Sequence, residues 1–206
     1  LVRWYYAQPE RLAQAEAVVI EDNVVDHWIS IDEGSHSSVR RNAVSDLSGT
    51  YKYAGLELAG GQENVVFTDN VVDGGARIGW SLSGNSGPKD NIFFLRNRIS
   101  RSRAWGVQLQ GDSTGASHLF VKDSIFELTE ATPEETFPFP SGEHGFRTNG
   151  NVRGLAVISS LLRNNKGRGF QWGGGGTSPI DRFTVSNCNI TDNLYHAISG
   201  GATSTL

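Results

Sequence analysis

Seven segments of the chain carry one pattern of apolar and polar positions. In Val18–Val25, Ser37–Val44, Val65–Val72 and Ile92–Ile99 an apolar residue stands three places before an Asn and another two places after it. Leu119–Phe126, Leu155–Leu162 and Phe183–Ile190 keep the apolar phase but put Ser124, Ser160 and Cys188 where the Asn stood. A second kind of segment follows, in which apolar and polar residues alternate between glycines: Gly55–Gly60, Gly79–Gly84, Gly106–Gly111, Gly145–Gly150 and Gly169–Gly173. Strict alternation over so few residues predicts short β-strands with one face buried.

The spacing of the polar column decides how those strands are arranged. Asn23, Asn42, Asn70, Asn97, Ser124, Ser160 and Cys188 follow one another at 19, 28, 27, 27, 36 and 28 residues. Near-regular repeats of this length are units that bury their apolar face only by stacking on a neighbour. The prediction is an all-β, single-stranded right-handed parallel β-helix of about seven coils. Its inward columns are Ile20/Val39/Phe67/Phe94/Val121/Val157/Val185, then Val25/Val44/Val72/Ile99/Phe126/Leu162/Ile190, then Ile29/Leu56/Trp80/Val107/Phe146/Phe170. The Asn, Ser and Cys column becomes an internal ladder at a bend, hydrogen-bonding along the axis as stacked amides do. Six steps of about 4.8 Å give a rod of roughly 30 Å. An antiparallel sandwich explains the alternation but not the recurrence of Asn at one phase. Residues 1–206 form one domain on this reading, with 1–16 an N-terminal cap or partial coil and 17–201 the coils.

The pattern over 17–201 resembles the right-handed β-helix repeats of the pectin-lyase-like superfamily. That group holds lyases, hydrolases, epimerases and non-catalytic binders, so the resemblance implies a fold and a broad connection with polysaccharide, and no single activity. β-Helical modules appended to xylanases are the subgroup the chain looks compatible with.

Composition narrows the field. The formal net charge is -4 over 206 residues, with no basic face to suit nucleic acid. No apolar run nears the ~20 residues that span a bilayer, so no membrane partner is expected. The absence of methionine suggests a segment cut from a larger protein. One cysteine, Cys188, excludes an internal disulfide framework and a cysteine-rich zinc site.

Function on a solenoid usually lies where coils depart from the repeat. Two coils are long before their third strand, at Ser45–Ala54 (with Tyr51, Lys52, Tyr53) and Glu127–His144 (with Pro133, Pro138, Pro140, Phe137, Phe139). Both insertions fall at the same place in the coil, so they predict two walls of a cleft. Its floor is the outward side of the third strands: Ser30, Asp32, Glu57, Ser81, Ser83, Gln108, Gln110, Arg147, Asn149 and Gln171. Exposed strand positions are polar in any case, yet amides and hydroxyls repeated at one coil each suit a hydroxyl-rich ligand. Trp28 and Trp105 precede their strands and are expected to face solvent, beside Tyr53, Phe137 and Tyr195. Trp80 and Trp172 are in phase with the core, and Trp4, Tyr5 and Tyr6 with covering an end of the rod.

Catalytic machinery is harder to find. A glycosidase needs two facing carboxylates, and Glu57 with Asp32 is the one such pair on adjacent coils. Gly142–Asn149 brings Glu143, His144 and Arg147 together, acid–base chemistry that loosely resembles the His-Gly of the superfamily's hydrolases, whose companion acidic motifs are missing here. His36, His118 and His196 have no metal-ligand spacing, so no metal or other cofactor is expected.

The sequence therefore points first to a non-catalytic carbohydrate-binding module, recognising a plant cell-wall polysaccharide such as xylan through Tyr53, Glu57, Ser81, Trp105, Gln108, Gln110, Arg147, Asn149 and Gln171. A linked catalytic domain and a secreted or cell-surface location follow from that substrate. The alternative is a polysaccharide lyase, hydrolase or epimerase centred on Glu143, His144 and Arg147.

Overall fold

The residue before each ladder position turns the chain. Asp22, Arg41, Asp69, Arg96, Asp123, Ser159 and Asn187 take φ between 49° and 58°, a left-handed conformation that costs a non-glycine residue energy. The next side chain compensates by holding the corner. Asn42 Nδ2 donates to Arg40 O and to Ile20 O, each at 3.0 Å, closing its own corner and gripping the previous coil.

The computed structural model describes residues 17–32, 34–45, 52–74, 76–83, 87–110, 115–129, 144–149, 152–172 and 180–200, without the side chains at 52, 53, 76, 110, 149 and 180. All regular elements among them are strands, arranged as three parallel sheets of seven. The first sheet stacks Val19–Glu21, Ser38–Arg40, Gln62–Thr68, Lys89–Leu95, Ala116–Lys122, Val152–Ile158 and Ile180–Ser186. The second stacks Val24–Val25, Ala43–Val44, Val71–Asp73, Arg98–Ser100, Ile125–Glu127, Leu161–Arg163 and Asn189–Thr191. The third stacks Ile29–Asp32, Lys52–Ala59, Ala76–Leu82, Trp105–Gln110, His144–Asn149, Phe170–Trp172 and Ile198–Gly200. Each coil contributes one strand to each sheet, which makes seven coils of a parallel β-helix.

The pairing register reproduces the three inward columns residue for residue: Ile20 opposite Val39 opposite Phe67 opposite Phe94 in the first sheet, Val72 opposite Ile99 opposite Phe126 in the second, Leu56 opposite Trp80 opposite Val107 in the third. Burial of these apolar columns against the coils above and below is the main driving force of a solenoid. Aromatic rings run through the centre, with Trp80 on Phe94 at 4.1 Å and Phe146 on Phe170 at 4.9 Å between ring centroids.

The first ladder continues from coil to coil as expected. Asn42 Nδ2 donates to Asn70 Oδ1 at 3.0 Å and Asn70 Nδ2 to Asn97 Oδ1 at 2.9 Å, while Ser124 Oγ accepts the Asn97 backbone N–H and Cys188 Sγ contacts Val157 O. A second ladder, at the bend into the third sheet, went unread in the sequence. Thr129 N–H donates to Asn165 Oδ1 at 3.3 Å, and Asn165 Nδ2 donates to Asn193 Oδ1 at 2.8 Å. Its members lie five residues after Ser124, Ser160 and Cys188 of the first ladder, a regularity hidden because Thr129, Asn165 and Asn193 share no single side chain.

In five of the seven coils a glycine stands at the corner of the third strand (Gly55, Gly79, Gly106, Gly145 and Gly169), and there it is a steric requirement. A Cβ on Gly79 would strike Ile99 Cγ2 and lie 2.6 Å from Gly106 O. Coils therefore approach at this corner more closely than any side chain allows; the residue after it turns into the core, and the residue before it packs outside the main core.

Candidate functional site

Strand alternation puts one row of polar residues on the outer side of the third sheet. Ser30, Glu57, Ser81, Gln108, Arg147 and Gln171 stand in direct register on six successive strands. The sequence led to solvent-facing positions here. Instead Ser81 is 0% and Gln108 5% exposed, while Glu57, Arg147 and Gln171 are half-buried. Tyr53, Gln110 and Asn149 have side chains outside the described set, as do the two expected cleft walls over 46–51 and 130–143 with Glu143.

A second row lies just ahead of the glycine corner. Ala54, Ile78, Trp105 and His144 are in register on four strands. They are buried, and Ala54, Ile78 and Trp105 form a small apolar cluster apart from the main core. The expectation that Trp105 faces solvent is therefore corrected: it is 8% exposed. Its indole packs beside Ile78, and two guanidiniums lie over its ring, Arg147 at 4.8 Å and Arg77 at 5.2 Å from the centroid. Both distances are in the range where a cation is attracted to the ring's electron-rich face.

His144 sits next to Trp105 across the strand pair. Burial, then the positive charges of Arg147 and Arg168, push its pKa down from 6.5 to about 3, so the ring is neutral at ordinary pH. Its Nδ1 accepts the Arg168 backbone N–H at 3.1 Å, which leaves the ring proton on Nε2. That Nε2–H is buried without a hydrogen-bond partner, and so are Trp105 Nε1 and Arg168 Nε. Ser81 Oγ and Gln171 Oε1, both on the outer row, are buried and unsatisfied too.

Arg147 lies within the fields of two other arginines. Burial, then the charges of Arg168 and Arg77, hold Arg147 below the usual arginine range. Elsewhere on the rod arginines have the opposite surroundings: hydrogen bonds that Arg41 donates to Asp22 and Glu21 push it above that range, and Arg96 is raised by those it donates to Asp69. Two guanidiniums thus lie over the Trp105 ring and a third is near enough to act on His144, an arrangement suited to an oxyanion. Of this group the sequence supplied Trp105, Arg147 and, for another role, His144. Arg77 and Arg168 were missed; they stand two residues before Gly79 and one before Gly169, at no common phase that the sequence could display.

At the other end of the outer row Glu57 is held by the hydroxyls of Ser30 and Ser83. Burial raises its pKa, those hydrogen bonds oppose the rise, and the nearby Asp32 charge adds to it. Among the described residues no group of three or more His, Cys, Asp or Glu side chains is placed to hold a metal ion.

No protein-family model matches the chain. Among curated proteins it is similar to the trigger factor of Azoarcus sp. (strain BH72), 63% identical over 49 residues, which is 24% of this chain and 10% of that protein. It is also similar to the trigger factor of Aromatoleum aromaticum, 96% identical over 29 residues, 14% of this chain and 6% of the relative. A third likeness, to the trigger factor of Polynucleobacter asymbioticus, is 38% over 48 residues. The chain spans about a tenth or less of the length of these relatives. The matches overturn the reading as a xylan-binding module of a polysaccharide-degrading enzyme, and with it the catalytic alternative on Glu143, His144 and Arg147. The proteins that share its sequence are named trigger factor, and none bears a carbohydrate-active name. The secreted or cell-surface location rested on that substrate alone and falls with it.

Proposed function

We propose that the chain is a ligand-binding solenoid, and that the outer corner of its third sheet captures an anionic group, a carboxylate or a phosphate. One observation carries this: His144 and Trp105, each with a partnerless ring N–H, are paired across adjacent strands, with Arg77 and Arg147 over the indole and Arg168 near enough to act on His144. A buried donor left unpaired costs about 1–3 kcal/mol, and such groups are rare enough in folded proteins that each calls for an explanation. An oxyanion accepting both hydrogen bonds removes that penalty. Neutral His144 donates one bond without needing a proton from solvent. Arg147 and Arg77, carried on long side chains, close over the bound anion from the indole face.

The test is a titration of the folded protein with sodium acetate and with sodium phosphate, followed through the ring N–H resonances of Trp105 and His144. Both signals move downfield on binding, and the shifts are lost in Arg147→Ala. Unmoved resonances with both anions refute the proposal. A shift with one anion and not the other identifies which oxyanion fits.

A further inference from the structure

On a sheet that faces water, outward positions are ordinarily polar. The outer face of the first sheet departs from that rule along its middle row. Ser38, Val66, Phe93, Phe120, Ala156 and Thr184 stand there in register, alternating along their strands with inward residues such as Phe67 and Phe94 that are fully buried. Val66, Phe93, Phe120 and Ala156 are half-buried, and the two rings meet edge to face at 6.2 Å between centroids. Leu95 and Ile158 widen the apolar area on the next outward row. The row on the other side carries charge: Glu63, Asp90, Ser117 and Arg153 follow one another in register. Asp90 is engaged within the chain, by Ser117 Oγ at 2.8 Å and the His118 ring at 2.6 Å. Asp181 ends the row and lies 3.6 Å from Arg182. Glu63 and Arg153 are exposed, and among the described residues neither has an ion-pair partner.

We infer that this face docks a second copy of the chain, the two rods lying side by side and antiparallel. The charges choose that arrangement. A two-fold axis along the strand direction, passing between the strands of Phe93 and Phe120, reverses the order of the coils and keeps the rows. It sets Phe93 against Phe120 of the second copy, Val66 against Ala156 and Glu63 against Arg153, each pair occurring twice. Turning the second copy about the rod axis instead lays Glu63 and Arg153 over the row of Thr68 and Ile158, where neither charge meets its opposite. Packed sheets stand about 10 Å apart, a gap that glutamate and arginine side chains bridge. The seven-residue strands of this sheet present a face about 24 Å by 20 Å, hence about 1,000 Å² between two copies. That is the size of a weak, reversible interface. It lies on a different sheet from the anion site and stands independently of it.

The experiment is sedimentation velocity over a concentration series, on the wild-type chain, Glu63→Arg, Arg153→Glu, both reversals in one chain, and Phe120→Glu. Circular dichroism first confirms that each variant keeps its strand content, as expected for outward positions. The wild type passes from one copy to two as concentration rises. Each single reversal weakens association at least about tenfold, because like charges set face to face cost more than an exposed opposite pair gains. Phe120→Glu abolishes it. An equimolar mixture of Glu63→Arg with Arg153→Glu pairs as tightly as the wild type, and so does the double reversal, since every facing pair is again opposite in sign. A wild-type chain that stays single at every concentration overturns the inference. So does a dimer that the single reversals leave unchanged, or a loss that neither the mixture nor the double reversal restores.

Discussion

Two polar columns run along this rod, and they are built on opposite rules. In the corner ladder every amide is committed: Asn70 accepts from Asn42, donates to Asn97 and donates to Val39 O, all at 2.9–3.0 Å. On the outer side of the third sheet, buried donors and acceptors from His144, Trp105, Arg168, Ser81 and Gln171 stand without partners. Burial alone does not separate the two, since Asn70 and His144 are each 1% exposed. What differs is whether the polar group finds its partner within the coil stack. The ladder is part of the fold, and the outer column buries polar groups that the fold leaves unpaired. A buried unsatisfied group is a standing cost that a ligand or a bound water can remove.

The sharpest way to break this contrast is to damage the committed column. Asn70→Ala takes an acceptor from Asn42 N–H and Nδ2, and donors from Val39 O and Asn97 Oδ1. With several buried groups stranded at once, the expected loss is about 3–5 kcal/mol in urea unfolding. Asn70→Ser restores part of it, because Ser124 and Ser160 already serve in the same column. A loss below about 1 kcal/mol for the alanine variant would mean that the ladder is ornamental.

Acid acts next, on the open column. His144 stays neutral in the folded chain down to about 3, whereas an unfolded chain protonates it near 6.5. Between those values the unfolded state holds the extra proton, so stability falls as pH falls, by about 1.4 kcal/mol per unit at the steepest. Unfolding midpoints measured from pH 7 down to pH 4.5 should show that slope, and His144→Gln should flatten it. Acidic groups such as Asp69 and Asp73, held below their usual range chiefly by hydrogen bonds from Arg96 and Arg101, lose their contribution only below that window. A wild-type slope unchanged in the glutamine variant would show that the histidine is not kept neutral by its surroundings.

Almost the whole fold was legible because its signal is repeated seven times. Each column position is dictated by the same demand, an apolar side chain pointing inward against the coils on either side, so Ile20 and Val185 carry the same information as Phe94. The site was only partly legible, since nothing in it repeats. Trp105 was misplaced because alternation does not govern residues before the glycine corner, where the close approach at Gly79 and Gly106 redirects the chain. Arg77 and Arg168 come from different coils and converge only in three dimensions. The neutrality of His144 depends on burial and on those arginines, none of which a single sequence displays. The resemblance that suggested polysaccharide was carried by the repeat, and a repeat shared for packing reasons says little about ligand.

The finest test makes one chemical change in both columns. Ser124→Ala removes a hydroxyl that accepts the Asn97 backbone N–H at 3.2 Å and donates to Lys122 O at 2.9 Å. Ser81→Ala removes one that is equally buried and bonded to nothing. The first strands a backbone donor and a carbonyl, at an expected cost of about 1–3 kcal/mol. The second strands nothing and deletes an unsatisfied oxygen, so its effect lies within about 0.5 kcal/mol of zero, with any change toward greater stability. Both are single-atom deletions at fully packed sites on strands or corners of the same solenoid, so cavity formation contributes similarly and cancels in the comparison. The pair is read from parallel urea melts with equal denaturant slopes. Equal losses would mean that Ser81 is held by the fold as firmly as Ser124, and the distinction between a committed column and an open one would fail at the position where it is most cleanly drawn.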